Sequence, residues 1–157
     1  MRYDVRLAWI VGCMPLFGQT LPPVIKAPGE KVTLDIKARS QPGKAPVALK
    51  WEVIFPAQWM EMEGDAEAGK AAIDSGKSLQ CTARGQYAYT CILSGGQKPI
   101  ADGPIASFHF RIRTTAESGT ATFHIDKVQS TTVDSKELNL DDTEAVVTIR
   151  RSTPTPP

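Results

Sequence analysis

Cys81 and Cys91 are the residues whose type and spacing point most directly to chemistry. They sit on two short strand-like runs, KSLQCTAR and QYAYTCIL, with Gly85-Gln86 between. In a hairpin that sets 81 opposite 91, Leu79 faces Leu93 and Ala83 faces Tyr89. Directly opposed strand residues bring their Cα atoms within about 4.5–5.5 Å, inside the reach of a disulfide. In an oxidising compartment that bond is the expected state, with a reduced buried pair as the alternative. A zinc site would need a second ligand pair at metal spacing, and the sequence has none.

The other candidates carry less. His109 and His124 lie on strand-like runs, on faces opposite the aromatic residues, and with Asp126 they would make three metal ligands. Without a register to join them they read as solvated strand residues. Asp141-Asp142 with Glu144 lacks the dense, spaced oxygen ligands of a calcium loop and reads as a solvated acidic turn. No G-x-S-x-G occurs, no nucleophilic thiol is left over, and no carboxylate pair is singled out for glycoside hydrolysis. The chain reads as non-enzymatic, with no cofactor and no metal. Trp51 shares a strand face with Leu49, Val53 and Phe55 and reads as core. Trp59, Tyr87 and Tyr89 are the aromatics available to stack on sugar rings.

These residues depend on strands to place them. Ala106, Phe108, Phe110 and Ile112 alternate with Ser107, His109, Arg111 and Arg113 after the turn signal Asp102-Gly103-Pro104. That is the period of a strand with one buried and one wet face. Lys31–Ala38, Val47–Phe55, Thr120–Val128 and Ala145–Arg150 repeat it. Trp59–Glu63 reads as a short strand, Asp65–Ala72 as one or two helical turns weakened by Gly69, and Val133–Leu140 as a loop with one short strand. Some eight or nine strands with almost no helix predict an all-β sandwich of two antiparallel sheets.

The 157 residues suit one domain, and the formal net charge of +1 is spread rather than clustered. No basic stripe with interleaved aromatics invites nucleic acid. Arg2 and Arg6 followed by the apolar run LAWIVGCMPLF read as an export signal over residues 1–18, cleaved near Gly18 before Gln19. The run is too short for a transmembrane helix. A lipobox reading, Ile10-Val11-Gly12-Cys13 with lipid on Cys13, leaves a very short apolar region and is the lesser alternative. The expected location is secreted, periplasmic or cell-surface. Residues 19–30 read as an extended lead-in that overlaps a domain over 24–150, and residues 151–157 as a Pro/Thr-rich tail.

The domain resembles the cohesin family from about Val24 to Ile149. The resemblance is carried by Ala27-Pro28-Gly29-Glu30-Lys31-Val32, by LKWEVIFPAQWMEMEG over 49–64, by the glycine-led strand within 100–112, and by the segments 118–125 and 144–149. It implies a nine-stranded jelly-roll sandwich, a fold shared with carbohydrate-binding modules. It also implies a partner, a dockerin-type module, held on the sheet that contains the central strands and serving polysaccharide degradation or cell-surface assembly. Projected onto this chain, the exposed positions there are Lys50, Glu52, Ile54, Thr82, Thr90 and Ile92, with the two isoleucines either as apolar anchors or, equally, as residues under loops or at the sheet edge. The alternative is direct polysaccharide binding through Trp59, Tyr87 and Tyr89. The chain departs from the family at Pro56-Ala57-Gln58, where the usual acidic residue before the proline is missing, and in its two-cysteine hairpin.

Overall fold

The computed structural model describes residues 24–40, 45–132 and 145–151 in full, and the backbone of 6–11, 137–139 and 143–144. In chain order the elements are β1 (Arg6–Val11), β2 (Val24–Lys26), β3 (Lys31–Ala38), β4 (Ala48–Ile54), β5 (Met60–Met62) and β6 (Glu67–Ala68). The helix α1 (Lys70–Asp74) follows, then β7 (Ser78–Arg84), β8 (Ala88–Ser94), β9 (Gly103–Ile112), β10 (Gly119–Thr131), β11 (Glu137–Asn139) and β12 (Thr143–Ile149). One sheet runs β1-β3-β9-β5, with β6 also on β9. The other runs β2-β12-β10-β4-β8-β7, with β11 also on β10. The pairs are antiparallel except β1 with β3 and β2 with β12. This is the expected all-β sandwich, with added short strands at its margins.

Alternation decides what lies between the sheets. Val32, Leu34 and Ile36 of β3 and Phe108, Phe110 and Ile112 of β9 point inward from one sheet. Leu49, Trp51 and Val53 of β4, Cys91 and Leu93 of β8, and Phe123 and Ile125 of β10 meet them from the other. Phe110 is the centre of the aromatic packing, with ring centroids 4.9 Å from Phe123 and 5.3 Å from Phe55. Trp51 is core, as its strand face requires.

Two expectations change, for the helix and for the lead-in, and the sheet order separates the two histidines. The helix comes later than Asp65–Ala72, because Glu67 and Ala68 are drawn onto β9 beside Ser107 and Ala106. Gly69 then passes so close to β9 that a Cβ there would sit 2.2 Å from the Pro104 carbonyl oxygen, so the helix starts only after it. His109 and His124 are not neighbours: β9 and β10 belong to different sheets, and the two rings occupy opposite outer faces. Among the described residues no group of His, Cys, Asp or Glu is placed to hold a metal. The lead-in read over 19–30 holds the short strand β2, followed by a turn at Pro28-Gly29.

Residues 6–11, inside the segment read as an export signal, run as β1 parallel to β3, from Arg6 beside Thr33 to Val11 beside Ala38. Loss of residues 1–18 would take this strand away and leave β3 at the sheet edge. The segments 12–23, 133–136, 140–142 and 152–157 lie outside the described residues, and with them Cys13, Gly18, the Asp141-Asp142 turn and most of the proline-rich tail. No helix among the described residues is long and apolar enough to cross a membrane.

Candidate binding face

The β7–β8 hairpin forms in the expected register. Cys81 pairs with Cys91, Leu79 with Leu93 and Ala83 with Tyr89. The two cysteines are joined as a disulfide across Cα atoms 4.1 Å apart. Both are on the inner side of the hairpin, so the bond fastens it from behind. A second fastening closes the open end. Lys77, just before β7, is buried, and its Nζ donates to the carbonyl oxygens of Gly95 at 2.6 Å and Gly96 at 3.3 Å, just after β8. Burial lowers the Lys77 pKa from its ordinary value, because the charged form loses hydration.

The outer side of this hairpin joins β4 and β10 in one face. Rows across it read Gln80, Ile92, Lys50, Gln129, then Thr82, Thr90, Glu52, Asp126, then Arg84, Ala88, Ile54, His124. The six residues chosen from sequence, Lys50, Glu52, Ile54, Thr82, Thr90 and Ile92, all lie on it. They are not equally exposed. Lys50, Thr82 and Ile92 are open to solvent, Ile92 at 42%. Ile54 is only partly exposed, flanked by Ala88 and His124 in its row. Glu52 is covered, its side chain 13% exposed, because Arg84 Nη1 donates to it at 3.0 Å and Lys127 Nζ lies 3.4 Å away.

Lys127 is there because β10 carries a bulge. From Asp126 to Gln129 the strand advances three residues while β4 advances two, from Glu52 to Lys50. Lys127 takes up the extra step at φ 52°, an uncommon conformation for a side chain other than glycine. The bulge opens a depression of about 240 Å³ lined by Lys50, Trp51, Glu52, Arg84, Thr90, Lys127 and Gln129. Sequence reasoning missed Arg84, Lys127 and Gln129. The signal for Lys127 and Gln129 was a phase change in β10: the inward positions are 121, 123 and 125, then 128 and 130. Thr90 Oγ1 is buried there without a hydrogen-bond partner.

The opposite outer face carries several ion pairs and hydrogen bonds of its own. Glu63 accepts from Arg111 and lies 3.5 Å from Lys31. The hydrogen bond from Arg111 holds the Glu63 carboxyl below its usual pKa, against an opposing effect of burial. Arg113 reaches Glu61 at 3.3 Å, Thr33 Oγ1 is 3.2 Å from His109 Nδ1, and Ser107 Oγ donates to Asp35.

The three aromatics proposed for sugar stacking do not share a surface. The Trp59 ring lies on Gly119, where a Cβ would come within 2.2 Å of it. Tyr89 is on the inner side of the hairpin, its ring 6.0 Å from that of Phe55. Tyr87 is exposed in the hairpin turn.

This sandwich has the cohesin fold. The sixth cohesin of Acetivibrio cellulolyticus scaffoldin B, solved in complex with a dockerin, superposes with a TM-score of 0.67 at 17% identity, covering 82% of this chain and 94% of that one. The cohesin of a type I cohesin–dockerin complex from Clostridium thermocellum gives 0.70 at 13% identity over 82% and 94%. A non-cellulosomal cohesin from the archaeon Archaeoglobus fulgidus gives 0.60 at 14% identity over 83% and 88%. No protein-family model matches the chain, and no curated protein matches it significantly.

Proposed function

We propose that this chain is an exported, non-catalytic recognition module that docks a dockerin-type protein on the outer face of its seven-stranded sheet. One observation carries the choice of face. That sheet keeps an apolar side chain, Ile92, in solvent beside a depression with an unpartnered buried hydroxyl, whereas the other outer face is occupied by its own ion pairs. An apolar anchor with a polar rim is the usual anatomy of a protein interface. The fold supports the class of partner, since several of the similar structures are cohesins bound to dockerins. Flat polysaccharide binding needs aromatic rings in a row, and Trp59, Tyr87 and Tyr89 point to three different surroundings. Protein recognition is therefore the reading adopted, with polysaccharide degradation or cell-surface assembly as its setting.

The test uses the mature chain, residues 19–157, on an array of dockerin modules beside a polysaccharide panel. A dockerin should be captured, and Ile92→Asp should remove capture while the melting temperature stays put. A charge forced into a desolvated patch without a partner costs several kcal/mol, about 2–4 in order of magnitude. Undiminished capture by that variant, or retention on polysaccharide alone, would reject the reading. Mass spectrometry of secreted material should find an N-terminus near Gln19; a product that keeps Met1 would refute export with cleavage.

A further inference from the structure

The two ends of the five-stranded sheet are built differently. At one end β5 and β6, strands of three and two residues, lie on β9. Edges this short offer little to another chain. At the other end β3 runs for eight residues without a proline, and β1 covers it from Thr33 to Ala38. β1 lies parallel, with Leu7, Trp9 and Val11 at the register positions of Leu34, Ile36 and Ala38, three of the buried residues of β3. Arg6, Ala8 and Ile10 stand beside Thr33, Asp35 and Lys37. Charges often guard a long edge, but two of the three on β3 are turned onto the sheet's own face. Lys31 lies 3.5 Å from Glu63, and Asp35 accepts from Ser107 Oγ. Without β1, the backbone N–H and C=O groups on that side of β3 lose their partners.

We infer that the β3 edge is a second binding surface, a slot for one extended segment laid parallel to β3, filled by residues 6–11 while they are attached and open once they are cleaved. The occupant it fits after cleavage is an extended, proline-free stretch of a partner protein with apolar residues beside Leu34, Ile36 and Ala38. Residues 6–11 show on this molecule what the slot accepts: six residues, RLAWIV, in parallel register. In strand addition the main-chain hydrogen bonds give affinity and the alternate side chains give selectivity. A parallel partner is no foreign arrangement here, since β2 already lies parallel to β12. The slot is on the other sheet from Ile92, so it does not depend on the docking face. Its opening, though not its existence, rests on the proposed export with cleavage.

The experiment is hydrogen exchange, read by NMR at single amides, on the full chain and on the full chain carrying Ala8→Pro and Trp9→Pro. Successive residues of a strand face opposite neighbours, so two adjacent prolines remove a donor toward β3 whichever position faces it. In the variant, the β3 amides turned away from β9 should exchange at least about tenfold faster, while those turned toward β9 keep their protection. A capped peptide of residues 5–12, VRLAWIVG, added at about 1 mM should restore the lost protection, and the same peptide with both prolines should not. The chain beginning at Gln19 should behave as the variant does. Equal exchange in the full chain and the variant would overturn the inference. So would no slowing with VRLAWIVG, or equal slowing with the proline peptide. Loss of protection on the β9 side as well would make residues 6–11 a fixed part of the core rather than an exchangeable strand, and would overturn it too. A secreted product that keeps Met1 would overturn the opening of the slot. Dockerin capture through Ile92 should be the same with and without VRLAWIVG; capture abolished by the peptide would put the peptide on the seven-stranded face and reject the slot. A chain that regains protection with VRLAWIVG but captures no dockerin keeps the slot and loses the docking face.

Discussion

The two outer faces of the sandwich solve the same problem in opposite ways. On the five-stranded sheet, Lys31, Glu61, Glu63, Arg111 and Arg113 pair across strands, and Thr33, Asp35, Ser107 and His109 take up one another's hydrogen bonds. On the seven-stranded sheet, Ile92 stays exposed and Thr90 has no partner. The second face is instead held from behind. The Cys81–Cys91 disulfide and the Lys77 clasp both fasten the hairpin without occupying its outer surface. For the proposed docking role, backing from beneath leaves Ile92 and Thr90 open on the outer side while holding the hairpin pre-organised. Exposed ion pairs, by contrast, contribute little each.

If that division is right, the largest loss of stability should come from cutting the covalent backing. Replacing Cys81 and Cys91 with alanine opens a loop closed over a sequence separation of 10. The chain-entropy view gives roughly 2–3 kcal/mol for such a loop. Urea unfolding should show that loss with the fold retained, because the core strands do not depend on the bond. Two free thiols in the unreduced mature protein would show that the backing is not covalent. Gly119→Ala comes next. A Cβ there meets the rigid Trp59 ring at 2.2 Å, where β10 of one sheet touches the segment leading into β5 of the other. Overpacking of this kind costs about 1–3 kcal/mol, and a variant as stable as wild type would mean the ring is free to move. Lys77→Met removes two bonds to carbonyls that solvent can partly replace, so about 1–2 kcal/mol is expected, read as a lower urea midpoint with an unchanged slope.

How much of this was legible depends on the range of the contacts. The hairpin was readable, register included, because Cys81, Leu79 and Ala83 meet partners no more than fourteen residues away across one turn. The buried and wet sides of β4 and β9 followed from period two. Sheet membership was not readable: whether His109 and His124 sit side by side depends on the crossing at 113–118, and nothing in their own strands states it. The bulge was half readable. Phe123 and Ile125 followed by Val128 break the alternation, but only the pairing with β4 turns that break into a depression. The partial cover on Ile54 and Glu52 belongs to the same class, since their neighbours Ala88, His124, Arg84 and Lys127 come from other strands.

The smallest effect is expected on the paired face, and its pH dependence identifies it. Glu63 has a folded-state pKa below its unfolded value, chiefly through the hydrogen bond from Arg111. A depressed carboxylate contributes stability that is fully present above its unfolded pKa and is lost as pH falls through the folded one. Glu63→Gln should therefore cost under about 1 kcal/mol at neutral pH, as a partly exposed pair does. As the solution is acidified through and below the ordinary carboxylate range, the variant and wild type should converge. Partner capture should not change at any pH where both are folded, because the pair lies on the face turned away from Ile92. Urea midpoints taken across that range decide the matter. A gap between the two proteins that stays constant with pH would mean that Glu63 acts by packing alone. A loss of capture would mean that the five-stranded face, despite its pairing, is the one that binds.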